Sequence, residues 1–337
     1  MNAPGNVLSV RNLVTCFRTE RGIFRAVDDV SFDVPAGGKV GIVGESGSGK
    51  TVTALSILGL VDEPAGFIER GEVLYQGEDL LKMKERELRT IRGDRIAMVF
   101  QEPMTALDPV FTVGDQIVET IRAHRSVSRR EARKQAIDLL QRVGIPSPAT
   151  RIDAWPHQLS GGMRQRVMIA IALCCEPALV IADEPTTALD VTVQAQVLEL
   201  LDDARREAGT ATLLISHDLA VVATFAELVS VMYAGQVVES GTVRDIFHRA
   251  SHPYTVALLE SLPPALDDRD LQPETKFQPR RLPTIEGRLP DRFALPAGCR
   301  FQARCRQVQD RCRTESPALR SVAEGHDTRC FFPRGTS

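Results

Sequence analysis

Between residues 7 and 43, short apolar and β-branched runs (VLSVRNLVTCF, AVDDVSFDV, KVGIV) alternate with polar positions and Gly or Pro, a pattern that predicts several strands. The last of them runs directly into GESGSGKTVTALSIL. Residues 115–143 carry many charges, with Ile117, Ile121, Ala136, Leu139, Leu140 and Val143 at helical spacing. ALVIAD (178–183) is a continuous apolar run of the kind found inside a parallel sheet covered on both faces. A second buried strand, TLLIS (212–216), follows a charged helical stretch, and SVMYAGQVVESG reads as a hairpin around Gly235. Strands alternating with helices predict an α/β fold. From Pro263 the text changes: Pro263, Pro264, Pro273, Pro279, Pro283, Pro290 and Pro296 punctuate polar sequence, which reads as a linker to a small tail.

Composition narrows the classes. With 337 residues and 43% hydrophobic content the chain can bury a large core, with room for roughly two domains of about 150 residues. A net charge of −3 argues against a protein that coats nucleic acid. The first residues, MNAPGNVLSVRNLV, lack a basic start and apolar stretch, so the expected location is cytoplasmic. The longest apolar run, VMIAIALCCEPALVIAD, is broken by Glu176 and Pro177, short of the roughly 18 residues a membrane span needs. Any membrane contact is then expected to be peripheral.

The strongest chemical signal is Gly44, Glu45, Ser46, Gly47, Ser48, Gly49, Lys50 and Thr51, with Val52 continuing into the predicted helix. This is the G-x-x-x-x-G-K-[ST] pattern in its required strand-to-helix context. Glycines let backbone N–H groups converge on phosphate oxygens, and the helix directs its positive end at them. Lys50 neutralises β/γ charge and Thr51 is suited to ligating Mg²⁺. The apolar run 178–182 ends in Asp183, suited to holding Mg²⁺ through water, and Glu184, suited to polarising the attacking water. Two adjacent carboxylates favour hydrolysis over simple binding. His217 ends TLLIS and Gln101 ends the strand in MVFQEPM, so both are candidates for the same crevice.

In this order, with Leu159-Ser160-Gly161-Gly162-Met163 and Ser216-His217-Asp218, the set resembles the ATP-binding cassette (ABC) ATPases over residues 7 to about 250. The resemblance implies a RecA-like P-loop core, an antiparallel β subdomain and an α-helical subdomain at about 102–172. Ser160, Gly161 and Gly162 open a predicted helix and so offer bare N–H groups to an anion. The family pairs two cassettes head to tail, each ATP lying between the Lys50 loop of one chain and the Ser160 loop of the other. The resemblance further makes Gln101 the γ-phosphate-sensing hinge that faces the membrane subunits, gives His217 a γ-phosphate contact, and places Ala188-Leu189-Asp190 in the loop linking the two sites. It asks for an aromatic on adenine: Phe17 is the first candidate and Phe24 the second.

Ser251-His252-Pro253-Tyr254 with the following TVALL resembles the oligopeptide, dipeptide and nickel importer ATPases, as does the spelling of QEPMTALDPV and LSGGMRQRV. One departure is Ala226-Glu227-Leu228, where relatives carry an Asp-Arg pair. The implied division is a nucleotide-binding domain at 1–262, a Pro-rich linker at 263–296 and a Cys-rich tail domain at 297–337. Cys299, Cys305, Cys312 and Cys330 are spaced x5, x6 and x17, and four thiols in so short a stretch read as a metal staple, either Zn²⁺ or an iron–sulfur cluster. The resemblance favours [4Fe-4S]. Cys16, Cys174 and Cys175 sit in apolar runs and read as core.

The expected function is ATP hydrolysis energising import of di- or oligopeptides, with nickel or another small solute as the alternative cargo. Expected partners are a second, paralogous ATPase subunit, two membrane permeases and an extracytoplasmic solute-binding protein, the chain sitting peripherally on the cytoplasmic face of the inner membrane. A soluble ABC protein of DNA repair or translation is the rival class, but those typically have two cassettes or a long coiled coil. This chain has one cassette and no sustained heptads.

Overall fold

The computed structural model describes residues 5–187, 190–262 and 283–334. Ala188 and Leu189 of the expected cross-site loop, and residues 263–282 of the expected linker, lie outside the described residues. The chain begins with β1 (Asn6–Thr19), β2 (Gly22–Pro35) and β3 (Lys39–Val43), then α1 (Lys50–Ile57), β4 (Gly66–Tyr75), β5 (Glu78–Asp79), α2 (Glu85–Ile91) and β6 (Ile96–Val99). A helical stretch follows: α3 (Pro103–Ala106), α4 (Val113–His124), α5 (Arg129–Arg142), α6 (Pro148–Arg151) and α7 (Gly161–Leu173). Next come β7 (Leu179–Asp183), α8 (Val191–Ala208), β8 (Ala211–Ser216), α9 (Leu219–Phe225), β9 (Leu228–Tyr233), β10 (Gln236–Thr242), α10 (Val243–His248) and α11 (Pro253–Glu260). The tail holds α12 (Asp310–Thr314), β11 (Arg320–Ala323) and β12 (His326–Thr328).

Two sheets organise these elements. An antiparallel sheet has the order β2-β1-β4-β5, and a larger one runs β11-β12-β10-β9-β3-β8-β7-β6. In the larger sheet β6, β7, β8, β3 and β9 are parallel. The apolar runs behave as their continuity predicts, since β7 and β8 are buried along their whole lengths. Leu179 and Ile181 join the core shared with the antiparallel sheet, while Val180 and Ala182 join the core under α7, α8 and α9. A strand with both faces covered has no polar side to alternate with.

The helical stretch builds its own core. Ile117, Ile121, Ala136, Leu140 and Val143 are buried together, as their spacing predicts, with Leu139 packed at the edge. Thr112 and Ser128 cap α4 and α5 by accepting from Asp115 N and Glu131 N, which fixes where each helix starts.

The expected Cys-rich tail is joined to the cassette through the central sheet. Its strand β12 pairs with β10, so the central sheet continues across the expected boundary at residue 297. Phe301 lies in the same apolar cluster as Tyr233 and Tyr254. The join is polar as well as apolar. Glu239, fully buried on β10, accepts from Ser251 N at 2.6 Å and His252 N at 2.9 Å, and lies 2.7 Å from His326 Nε2 on β12. A charged residue survives at 0% exposure because each of its oxygens is partnered.

Candidate active site

The register of the parallel strands lines up their C-terminal ends. Val43 pairs with Ser216, Asp183 with Ile215 and Val99 with Ala182, so the residues following each strand meet in one crevice, the usual ligand position of such sheets. At its floor the turn from β3 into α1 is built on glycine. Gly44 has φ +154°, and a Cβ there would sit 2.1 Å from Met232 O; Gly49 has φ +104°, and a Cβ would sit 2.5 Å from Ala26 O. Neither position accepts another residue, so the turn into the helix start is fixed by glycine.

Lys50 is buried, its Nζ donating to Gly44 O at 2.7 Å and Glu45 O at 3.2 Å and lying 3.9 Å from Glu184 Oε1. Burial lowers its pKa, and the carboxylates of Glu184, Asp183 and Glu45 act against that shift. Thr51 Oγ1 donates to Asp183 Oδ1 at 3.3 Å. Burial pushes the Asp183 carboxyl up to about 6, resisted by the Thr51 hydrogen bond. A poorly solvated ammonium and a poorly solvated carboxyl, with a hydroxyl beside the latter, suit a polyanion carrying a hard cation, since hydroxyl and carboxylate oxygens are the donors such a cation takes.

Glu184 Oε2 accepts from Gln101 Nε2 at 3.1 Å and Thr187 Oγ1 at 3.0 Å, and His217 Nδ1 lies 3.0 Å from it. Thus β6 and β8 each bring one predicted residue to the carboxylate that follows β7. Thr187 was not singled out by any sequence pattern; its only signal is a hydroxyl three residues after the carboxylate.

The other predicted residues distribute unevenly. Ser46, Gly47, Gly49, Lys50, Thr51, Val52, Gln101, Glu184 and His217 line one cleft, joined by Thr187, Ala26 and Gly235. Phe24 is on its wall and Phe17 is not: Phe17 stacks behind Phe24 at 5.6 Å between centroids. β1 and β2 pair Phe17 with Phe24, and the second strand carries the ring nearer the loop. Ser160, Gly161, Gly162 and Asp190 do not line this cleft. Ser160 and Asp190 instead cap α7 and α8 through Met163 N and Val193 N, while a Cβ on Gly161 would meet nothing within 4 Å. The helix start at Ser160 is thus an open end that does not line its own chain's phosphate-loop cleft.

A phosphate loop on one parallel strand end, acids two strands away and an open Ser-Gly-Gly helix start elsewhere is the arrangement of a cassette. Residues 27–187 match the family described as ABC transporter, and residues 238–312 match the oligopeptide/dipeptide transporter C-terminal region. The chain is 49% identical over 327 residues to the dipeptide transport ATP-binding protein DppD of Escherichia coli (strain K12), covering 97% of both chains. The chain belongs to the ABC transporter family. It is likewise 49% identical over 330 residues, 96% of each chain, to a putative peptide import ATP-binding protein of Brucella ovis. Among solved structures, the dimeric bacterial ABC transporter cassette MJ0796 superposes with a TM-score of 0.64 at 30% identity, covering 70% of this chain and 99% of that one. The same cassette in a post-hydrolysis state bound to ADP and Pi matches equally, with a TM-score of 0.64.

In this ABC chain the four tail cysteines line one small cavity together with His252, Phe301 and Phe332. Burial raises the pKa of Cys299 and Cys305, and that of Cys330 to about 11. Among the described residues, no group of three or more His, Cys, Asp or Glu side chains stands in metal-holding geometry. Among them, too, no helix is long and apolar enough to cross a membrane.

Proposed function

We propose that the chain is the ATP-binding, ATP-hydrolysing subunit of an importer for di- or oligopeptides. The observation that carries it is the convergence of Lys50, Asp183, Glu184, Gln101 and His217 at the ends of adjacent strands. The peptide cargo is supported by the 49% identity to peptide-transport subunits and by the C-terminal match at 238–312.

In this reading the loop from Gly44 to Gly49 and the start of α1 hold the β- and γ-phosphates, and Lys50 exchanges its carbonyl partners for phosphate oxygens. Thr51, Asp183 and Gln101 would hold Mg²⁺, which when bound would supply positive charge to offset that of the phosphates. Glu184 takes a proton from the water whose oxygen attacks the γ-phosphorus as the bond to the β-phosphate oxygen breaks, leaving ADP and phosphate. Gln101 and His217 fix the carboxylate's orientation, and His217 is placed to meet the γ-phosphate. A second cassette, a paralogous chain, supplies its Ser160–Gly162 helix start across the ATP, with Asp190 near the join. Closure of the pair is passed through the Gln101 region to two permeases, so the chain sits peripherally on the cytoplasmic face of the inner membrane, with a solute-binding protein outside.

The cysteine cavity is read as the seat of a [4Fe-4S] cluster, with Zn²⁺ as the alternative. Four thiols around one cavity supply the donor set either group takes.

The test is purification from membranes followed by ATPase assay of the whole assembly. Two permeases are expected to co-purify, and di- or oligopeptides with the binding protein to stimulate turnover. Recovery with ribosomes or DNA and no permease would sink the importer reading.

A further inference from the structure

Glu45 places a carboxylate inside a loop whose work is to bind phosphate, and like charges within about 4–6 Å disfavour each other. The structure supplies a counter-charge from far along the chain. Arg304 Nη1 lies 2.9 Å from Glu45 Oε2, with only 5% of the Arg304 side chain exposed. The guanidinium is itself held, Nε donating to Glu286 O at 2.9 Å and Nη2 to Ile285 O at 3.2 Å. The Glu45 backbone is fixed from the same side, since its N–H donates to the Tyr254 hydroxyl at 3.0 Å.

The far end of the phosphate loop is braced in parallel. Ser48 O accepts from Gly235 N at 2.8 Å, and the Arg300 guanidinium binds the neighbouring Ala234 carbonyl and the Asp28 carboxylate. Arg300 and Arg304 belong to one short segment, Cys299-Arg-Phe-Gln-Ala-Arg-Cys305, whose two cysteines line the tail cavity. Between them Phe301, 2% exposed, packs its ring 5.3 Å from Tyr233 and 5.4 Å from Tyr254.

We propose that the Cys299–Cys305 segment is a positioning clamp on the phosphate loop, in which Arg304 neutralises Glu45 and Arg300 braces the turn behind Ser48 and Gly49. None of these side chains reacts with ATP. The clamp sets how well the loop receives a polyanion, and so makes the cysteine tail part of the nucleotide site's scaffold. The inference rests on ATP binding and not on the identity of the cargo.

The decisive measurement is the affinity of the purified full-length chain for a fluorescent ATP analogue, beside ATPase kinetics. Arg304→Ala is expected to weaken binding about tenfold or more by leaving the Glu45 charge without its partner, and Arg304→Lys less. Adding Glu45→Gln to Arg304→Ala is expected to restore affinity to within about threefold of Glu45→Gln alone, an electrostatic rescue that a merely structural role would not produce. KM for ATP should rise while kcat at saturation changes far less. Unaltered affinity in Arg304→Ala, or a double variant as weak as Arg304→Ala, overturns the clamp. Should Arg304→Ala fail to fold, Arg304→Gln removes the charge facing Glu45 while keeping a polar side chain of similar reach. Weaker binding at an unchanged melting temperature supports the clamp, and unchanged affinity overturns it. Failure of the unsubstituted chain to bind the analogue would overturn the nucleotide reading along with it.

Discussion

His217 Nδ1, at the end of β8, lies 3.0 Å from Glu184 Oε2, at the end of β7. Gln101 and Thr187 donate to the same oxygen, and Glu184 itself stands at φ +47°, a left-handed conformation that costs a non-glycine residue about 1–3 kcal/mol. A strained residue held by three neighbours is a pre-set group, which accords with the proposed role of base. Glu184→Gln should lower kcat about 100-fold or more while ATP still binds. Size-exclusion chromatography with ATP should then show a trapped dimer; ordinary turnover in this variant would remove Glu184 from the role.

Ser160→Arg addresses the composite site. Ser160 lies outside the chain's own cleft, so the monomer should bind ATP with unaltered affinity while hydrolysis collapses, because in the proposed pairing a bulky cation occupies the place of the second cassette's phosphate. Equal loss of binding and turnover would show that the helix start acts within its own chain.

Glu239→Ala tests the joint between tail and cassette. It leaves the Ser251 and His252 amides and the His326 ring without their buried partner. Breaking such a pair costs about 3–5 kcal/mol, which equilibrium urea unfolding should detect. A loss below about 1 kcal/mol would mean that water reaches the joint.

The cysteine cavity is open to direct analysis. Protein purified without oxygen should carry iron and acid-labile sulfide, both lost in Cys312→Ser, while ATP binding persists in the unsubstituted chain. Stoichiometric zinc instead would replace the cluster with a zinc site.

Much was legible in the sequence for local reasons. The G-x-x-x-x-G-K-T spacing is dictated by backbone conformations that only glycine tolerates, so Gly44 and Gly49 announce the loop wherever the chain places it. ALVIAD and TLLIS announce a sheet covered on both faces because their central positions are continuously apolar and leave no alternating polar face for water. The spacing of Ile117, Ile121, Ala136 and Leu140 likewise carries its own helical core.

What needed the tertiary structure were relationships between residues far apart in the chain. Which phenylalanine lines the cleft depends on the pairing of β1 with β2, and either ring satisfies the same local pattern. That Thr187 reaches the Glu184 carboxylate depends on the turn after β7. The tail read as an appendage because cysteine spacing says nothing about strand pairing. Only the fold lays β12 beside β10, 87 residues away between Glu239 and His326, and brings Arg304 onto Glu45 across 259 residues of sequence. Periodicity and glycine chemistry act within a few residues, whereas charge pairing and sheet extension are decided by which distant surfaces the core packs together.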